Sequence, residues 1–403
     1  MLMRAHAPYL PLAIILAVFA PVVLGELHGD WFQFWYAGHL IANGGSPYDQ
    51  ESWIAATHQY GTLAASVTGN CGTAMSAACL WLYPPWTGFL FVPFGALPVE
   101  LGVPLLHVAV LSAGVAALIL WSRALVPGGP LPALALAIGG ASQPFLLTSS
   151  SGHIDAALLL GAFGLMAGLG GRAFPAAIGA VLLSLKPHLV IFLAPIAAAG
   201  LITRGRWRVI GASVAAILLI ALGALIVQPF PVDRFFTGSG EKLGLNVATI
   251  WSLGRSIAPA APLLGGLALA SVALVAAGAA YRWAGLAERD AMLVCLGLAI
   301  SRTLAPYAHT YDDLLDFPAV AMAIRLSSES RIKGVLLATL VVGYVIYPWL
   351  AYIAGRIAED QAPSAVTPFL VLGALAVAAR AARVHAYPID RRIGAAAGGS
   401  GAV

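Results

Sequence analysis

The sequence predicts an all-α, polytopic membrane protein, and three observations carry that prediction. Of the 403 residues, 60% are hydrophobic and only 9% charged, with a mean hydropathy of +0.88. A soluble domain carries roughly 25% charged residues, so this chain cannot clothe a water-facing surface with them. Second, apolar runs of about 18–25 residues recur along the whole length, which is what a helix needs to cross the hydrocarbon core. Third, the alternating segments of roughly ten residues that a transmembrane barrel requires are missing.

Taken in order, the periodicity predicts helices near 9–25, 84–98, 101–121, 131–147, 154–170, 174–201, 209–227, 259–281, 291–305, 313–326, 334–354 and 364–380. That gives about twelve spans in a single integral domain over residues 1–403. The first follows Arg4 and His6, as in a signal peptide, but no A-x-A cleavage pattern comes after it. It is therefore read as a retained first helix. The segments 84–98, 291–305 and 313–326 fall short of the roughly 20 residues a crossing needs. Short helices are tolerated where they line protein or a water-filled cavity, so their shortness points to an internal chamber.

An even count places both termini on one side. With that side cytoplasmic, its connections hold thirteen of the 21 Lys and Arg residues, and seven lie in the opposite loops. Lys186 falls inside a predicted span. The bias follows the positive-inside rule and sets the chain in the plasma membrane with the long loops 26–83 and 228–258 and the segment 306–312 facing the periplasm or exterior. An active site is expected on that outward face. The basic residues are spread among loops rather than gathered on a face, so no nucleic-acid partner is expected. No internal repeat is visible, which weighs against an inverted-repeat transporter. The end of the chain from about 393 is a low-complexity tail, expected to be disordered.

Cys71 and Cys79 share the first outward loop, where they either form a disulfide or stay as two thiols; Cys295 belongs to the core. No Cys or His spacing suggests a metal site, and no cofactor is implied.

The first candidate for chemistry is Asp30, in GDWFQFWYAGHLIANGGSPY at residues 29–48. It stands where the first apolar run stops, so a carboxylate is held at the membrane boundary. There it serves either as a general base for an incoming hydroxyl or as a simple helix-end charge. The rings of Trp31, Phe32, Phe34, Trp35 and Tyr36 would ordinarily anchor at headgroup depth, while one or two could stack on a sugar. Tyr83, in YPPW, opens the next span.

Lys186, followed by Pro187 and His188, sits in an apolar stretch, where a cation is paired or functional. A phosphate would satisfy it, and so would an ion pair with Asp155. His309 lies in SRTLAPYAHTYDDLLDFPA, with Arg302 upstream and Tyr311, Asp312 and Asp313 behind. This is the densest polar cluster at any predicted helix mouth. A His and an Arg there suit a phosphate through charge-assisted hydrogen bonds. Asn246 and Arg255, in GLNVATIWSLGRSI, form a second outward polar string directed at the same cavity. The turn Gly152-His153-Ile154-Asp155 falls on the cytoplasmic side of the twelve-span count, away from Asp30, unless a re-entrant segment upsets that count.

Six strings in order resemble a known family. They are GDWFQFWYAGHLIANGGSPYD, YPPWTGFLFVPFGALP, SSGHIDAALLL, LLSLKPHLVIFLAP, NVATIWSLGRSI and PYAHTYDDLL, spanning about residues 29–316. The set resembles glycosyltransferase family 87, the polyprenol-phosphate-mannose-dependent mannosyltransferases of the GT-C fold. The resemblance implies a GT-C-like bundle and transfer of a sugar, mannose by analogy, from a lipid-phosphate donor to a lipid-linked or envelope glycan acceptor. It maps the family's acid in the first outward loop onto Asp30, its late His onto His309 and its Lys-Pro step onto Lys186-Pro187. The donor phosphate is then expected at Lys186, His309, Arg255 and Arg302, and the sugar or acceptor at Trp35, Tyr36, Tyr83, Asn246 and Tyr311. Where family members commonly read Gly-Gln-x-Asn, this chain reads Gly152-His153-Ile154-Asp155, so acceptor choice does not carry over.

Two other classes compete. A secondary transporter or lipid flippase would share the broken spans and the buried Lys186, but it predicts alternating access around midplane polar groups. A non-catalytic assembly subunit predicts an obligatory partner. An enzyme acting as a monomer is the expectation retained.

Overall fold

The computed structural model describes residues 9–19, 29–61, 63–64, 81, 83–126, 128–227, 248–328, 330–358 and 360–397, with the side chains at 29, 30 and 385–397 excepted. Cys71, Cys79, Asn246 and the Asp30 side chain lie outside the described residues.

All secondary structure among the described residues is helical. The N-terminal part holds α1 (Leu10–Val18), α2 (Gly29–Ala42), α3 (Gln50–Tyr60) and α4 (Pro85–Gly95). A long α5 (Val99–Leu125) follows, then α6 (Leu131–Ala141), α7 (Gln143–Ser151), α8 (Asp155–Leu169), α9 (Ala173–Leu183), α10 (Leu193–Thr203) and α11 (Trp207–Val227). The C-terminal part comprises α12 (Ile250–Ile257), α13 (Pro262–Trp283), α14 (Arg289–Leu304), the 3-10 segment Thr310–Asp316 and α15 (Phe317–Ser328). It closes with α16 (Lys333–Ala358), widened by a π turn at Val342–Ile346, and α17 (Thr367–Ala397). The last helix thus continues past residue 393, where the low-complexity tail was expected to begin.

The described residues account for only part of the twelve expected spans. Five helices among the described residues are long and apolar enough to cross a membrane: α5, α11, α13, α16 and the stretch Ala362–Val384. A sixth is available if α6 and α7, bent by 55° at their junction, count as one. Hydropathy alone does not see where the backbone breaks. The predicted span 174–201 is divided into α9, a 3-10 turn Pro187–Leu189 and α10. Pro187 excludes the residue before it from the helical region, and Lys186 accordingly adopts φ −140°, ψ 68°. Lys186 is therefore in a connection, not inside a span. The predicted span 131–147 breaks at Ser142, whose extended backbone and side-chain oxygen cap α7 by accepting from Phe145 N–H at 3.4 Å.

The segment 26–83, expected as the first outward loop, contains the helices α2 and α3. Asp30 occupies the first turn of α2 rather than an open loop. Its aromatic neighbours are not an interfacial belt: Trp31, Phe32, Phe34, Trp35 and Tyr36 are all buried in the main apolar core. Fully burying such a ring contributes about 1.5–3 kcal/mol, which explains why packing wins over headgroup anchoring here. The helix is pressed onto α4, where Gly38 and Gly95 sit so close to the opposing backbone that neither has room for a Cβ. Small residues at a crossing let two helices approach in this way.

Candidate functional site

The site begins with Lys186. Its ammonium, almost fully buried, lies 3.1 Å from Asp155 Oδ1 and 2.5 Å from Asp312 Oδ1. Asp155 is the first residue of α8, where the positive end of the helix dipole favours a carboxylate. Asp312 uses its other oxygen to accept from the backbone N–H of His309 at 2.6 Å. One lysine thereby ties α8 to the segment Thr310–Asp316.

Arg302, near the end of α14, is the second buried cation. One guanidinium nitrogen meets Asp313 Oδ1 at 2.6 Å and donates to His309 O at 3.1 Å; the other donates to Ala248 O at 2.9 Å. Ala248 N–H in turn donates to Ala308 O at 3.0 Å. The start of α12, which carries Arg255, is thus docked on the 302–309 stretch, and Arg255 itself is exposed.

His309 sits at the head of the 3-10 segment. Its Nδ1 is 3.2 Å from Gln361 Oε1 and its Nε2 is 2.5 Å from the Tyr307 hydroxyl. A carbonyl oxygen only accepts, so Nδ1 carries the proton and Nε2 accepts from Tyr307. Burial pushes the ring down to about 4, outweighing the opposing pull of Asp312. It works as a neutral imidazole near pH 7, not as the cation expected from its position. Burial also raises the cost of charging Asp312, but Lys186 and Arg302 reverse this and hold its carboxyl well below the usual range.

Tyr311 completes the wall. Its ring stacks on His153 with centroids 3.4 Å apart, lies 5.0 Å from the His309 ring and is 5.2 Å from the Lys186 ammonium. Gln143 Nε2 donates to Thr310 Oγ1 at 2.9 Å, and Thr148 Oγ1 to Tyr311 O at 3.3 Å, which fastens α7 to the same segment. Tyr83 is near enough to Lys186 to act on it electrostatically. The hydrogen bonds Trp86 Nε1 to Ser184 O and Thr87 Oγ1 to Leu185 O, each 3.2 Å, join the start of α4 to that connection.

The helix that bears Asp30 abuts this cluster. Trp31 donates from Nε1 to Ser150 O at 2.7 Å and stacks on His107 at 4.4 Å. Gly152, left-handed at φ 90°, offers the indole a surface on which a Cβ would come within 2.5 Å. The turn Gly152–Asp155 therefore lies beside α2, not remote from it as the twelve-span count required. The α6–α7 pair that precedes the turn is bent by 55° at Ser142.

Among the expected sugar-binding residues, Trp35 is buried and donates to Leu97 O at 3.2 Å, though it also lines a surface cleft. Tyr36 is committed to the interior, donating to Ser52 O at 2.7 Å. Four buried aspartates surround the cluster, Asp155, Asp312, Asp313 and Asp316, against the buried cations Lys186 and Arg302. Asp316 was not singled out from the sequence, although acids spaced 312, 313 and 316 in an apolar stretch are a signal, because buried ionisable groups at such depth mark function. No group of three or more His, Cys, Asp or Glu residues suited to a metal ion occurs among the described residues.

The family model for glycosyltransferase family 87 matches residues 81–306. The chain belongs to glycosyltransferase family 87. Together with its apolar helices, this makes it a membrane glycosyltransferase. The matched stretch takes in Asp155, Lys186, Arg255 and Arg302 and leaves Asp30 and His309 outside it. No match is found among the curated proteins or the solved structures.

Proposed function

We propose that this family 87 glycosyltransferase moves a sugar, mannose in the first instance, from a polyprenyl-phosphate donor to a hydroxyl of a lipid-linked or envelope glycan. The reaction inverts the anomeric centre and takes place at the outward face of the plasma membrane. A single observation carries this reading: Trp31, next to Asp30, packs on the Ser150–Gly152 turn that leads into the Asp155–Lys186–Asp312 cluster. The backbone that carries Asp30 thus comes against the turn that leads to basic groups far away in the chain.

In the mechanism, Asp30 accepts the proton of the acceptor hydroxyl as its oxygen attacks the anomeric carbon. The carbon–oxygen bond to the lipid phosphate breaks, and the leaving phosphate keeps the electron pair. Attack and departure must be in line, so base and phosphate lie on opposite sides of the sugar. Charge growing on the phosphate calls for donors set in advance. Lys186 and Arg302 are already paired with Asp155, Asp312 and Asp313, so their part is to hold the wall of the site. Arg255, whose side chain is exposed, is assigned the contact to phosphate, and His309, held between Gln361 and Tyr307, supports the wall beside it. Tyr311 and Tyr83 then flank the sugar.

The test is transfer of radiolabelled mannose from decaprenyl- or undecaprenyl-phosphate mannose by the purified protein. A general base contributes about 10²–10⁴ in rate, so Asp30→Asn is expected to lose at least about 10²-fold while unfolding at the wild-type temperature. Transfer by Asp30→Asn at the wild-type rate removes Asp30 from the mechanism. Arg255→Gln is expected to raise the donor KM.

A further inference from the structure

Two cavities open along α2 and share one wall. The first, of about 230 Å³, is bounded by Trp31, Phe32, Leu63 and Val103 and is mainly apolar. The second, of about 500 Å³, is bounded by Trp35, His39, Asn43 and Tyr60. Val99 and Glu100, at the start of α5, line both. Together they form one groove running from the Asp30 end of α2 to its far end. From Trp31 to Asn43 this covers thirteen residues, a helical rise of roughly 18 Å.

The far half of the groove has a definite hydrogen-bonding character. His39 Nδ1 is 3.0 Å from Gly95 O, a carbonyl that only accepts, so the proton is on Nδ1 and Nε2 is an acceptor, with Asn43 Nδ2 at a long 3.4 Å from it. Asn43 spends its Nδ2 on His39 O at 2.8 Å and keeps its oxygen for a ligand. Glu100 is exposed, and its carboxylate makes no ion pair among the described residues. The Tyr60 ring stands edge-on to Trp35 at 5.4 Å and forms an aromatic wall beside these acceptors.

Three acceptor groups, one of them anionic, suit a ligand rich in hydroxyl donors and repel a phosphate. We infer that this groove is the acceptor-glycan subsite: an uncharged polyhydroxylated ligand lies along α2, with its hydroxyls on Glu100, His39 and Asn43 and its reacting end toward Asp30. The inference rests on the proposed role of Asp30 only for the direction in which the ligand points. Charge then separates the two substrates. The glycan takes the acidic groove, and the lipid phosphate is left to the side of Arg255.

The test uses the full chain in lipid nanodiscs, free of sugar-based detergent, and reads binding by tryptophan fluorescence with two probes. One is an octyl-linked α-mannose disaccharide; the other is undecaprenyl phosphate. Glu100→Gln and His39→Ala are each expected to weaken disaccharide binding tenfold or more and to leave undecaprenyl phosphate binding as in the wild type. In transfer assays the acceptor KM should rise more than the donor KM. Asp30→Asn should still bind the disaccharide, so a failed catalytic assignment remains distinguishable from a failed subsite. Wild-type protein that does not bind the disaccharide, variants that bind it unchanged, or variants that lose undecaprenyl phosphate instead would each overturn the subsite.

Discussion

At the residue scale, the chemistry of the cluster is set by what each charge already touches. Removing the Lys186 ammonium strands Asp155 and Asp312 in a buried setting, and breaking a buried pair costs about 3–5 kcal/mol. Lys186→Met should accordingly unfold at a markedly lower temperature, and adding Asp155→Asn should recover part of the loss. A Lys186→Met protein as stable as the wild type would show that the ion pairs are not structural. His309 gives a pH signature. Its folded value of about 4 lies below the ordinary value near 6.5, so between these the unfolded chain binds more protons than the folded one. The neutral ring contributes stability that is complete above about 6.5 and is lost as pH falls toward 4. His309→Gln should flatten the decline in melting temperature over that window, which a thermal-shift series would read.

At the scale of elements, the contact between α2 and the Gly152 turn joins two parts of the chain that sequence reasoning kept apart. Gly152 is needed twice over, for its left-handed backbone and for the space taken by the Trp31 indole. Backbone strain and overpacking each cost about 1–3 kcal/mol, so Gly152→Ala should destabilise the protein by about 2–4 kcal/mol. It should also displace Trp31 and with it Asp30, and transfer should fall beyond the loss of folded protein. Specific activity per folded molecule is the measurement that separates these effects. The break at Lys186-Pro187 was visible in the sequence as a proline, yet a hydropathy window reads through it. The junction at Ser142 was hidden because a serine in an apolar run is equally at home inside a helix.

At the scale of the molecule, the bundle has a polar end of paired charges and an apolar flank. On α11, Leu219 and Ile226 are 78% and 84% exposed, far more than a water-facing surface would tolerate at that density. These positions are expected to face acyl chains. Spin labels placed at residues 219 and 226 should relax with oxygen and stay inaccessible to a water-soluble nickel complex, and the reverse would take α11 out of the bilayer. Exposed Glu100, at the head of α5, lies where a membrane-crossing helix begins, so the inferred glycan groove opens at the boundary between water and lipid.

Composition alone determined that this chain is a helical membrane protein, because 9% charged residues cannot solvate a surface. Local order in the sequence also named Asp30, Lys186, Arg302 and His309, since ionisable groups in apolar surroundings are costly and stand out. The places where helices break and the identity of partners were decided only by the tertiary structure. Backbone breaks and long-range pairs such as Lys186 with Asp312 depend on packing between segments more than a hundred residues apart. Periodicity reports only neighbours along the chain, whereas the neutralisation of each cation depends on neighbours across space.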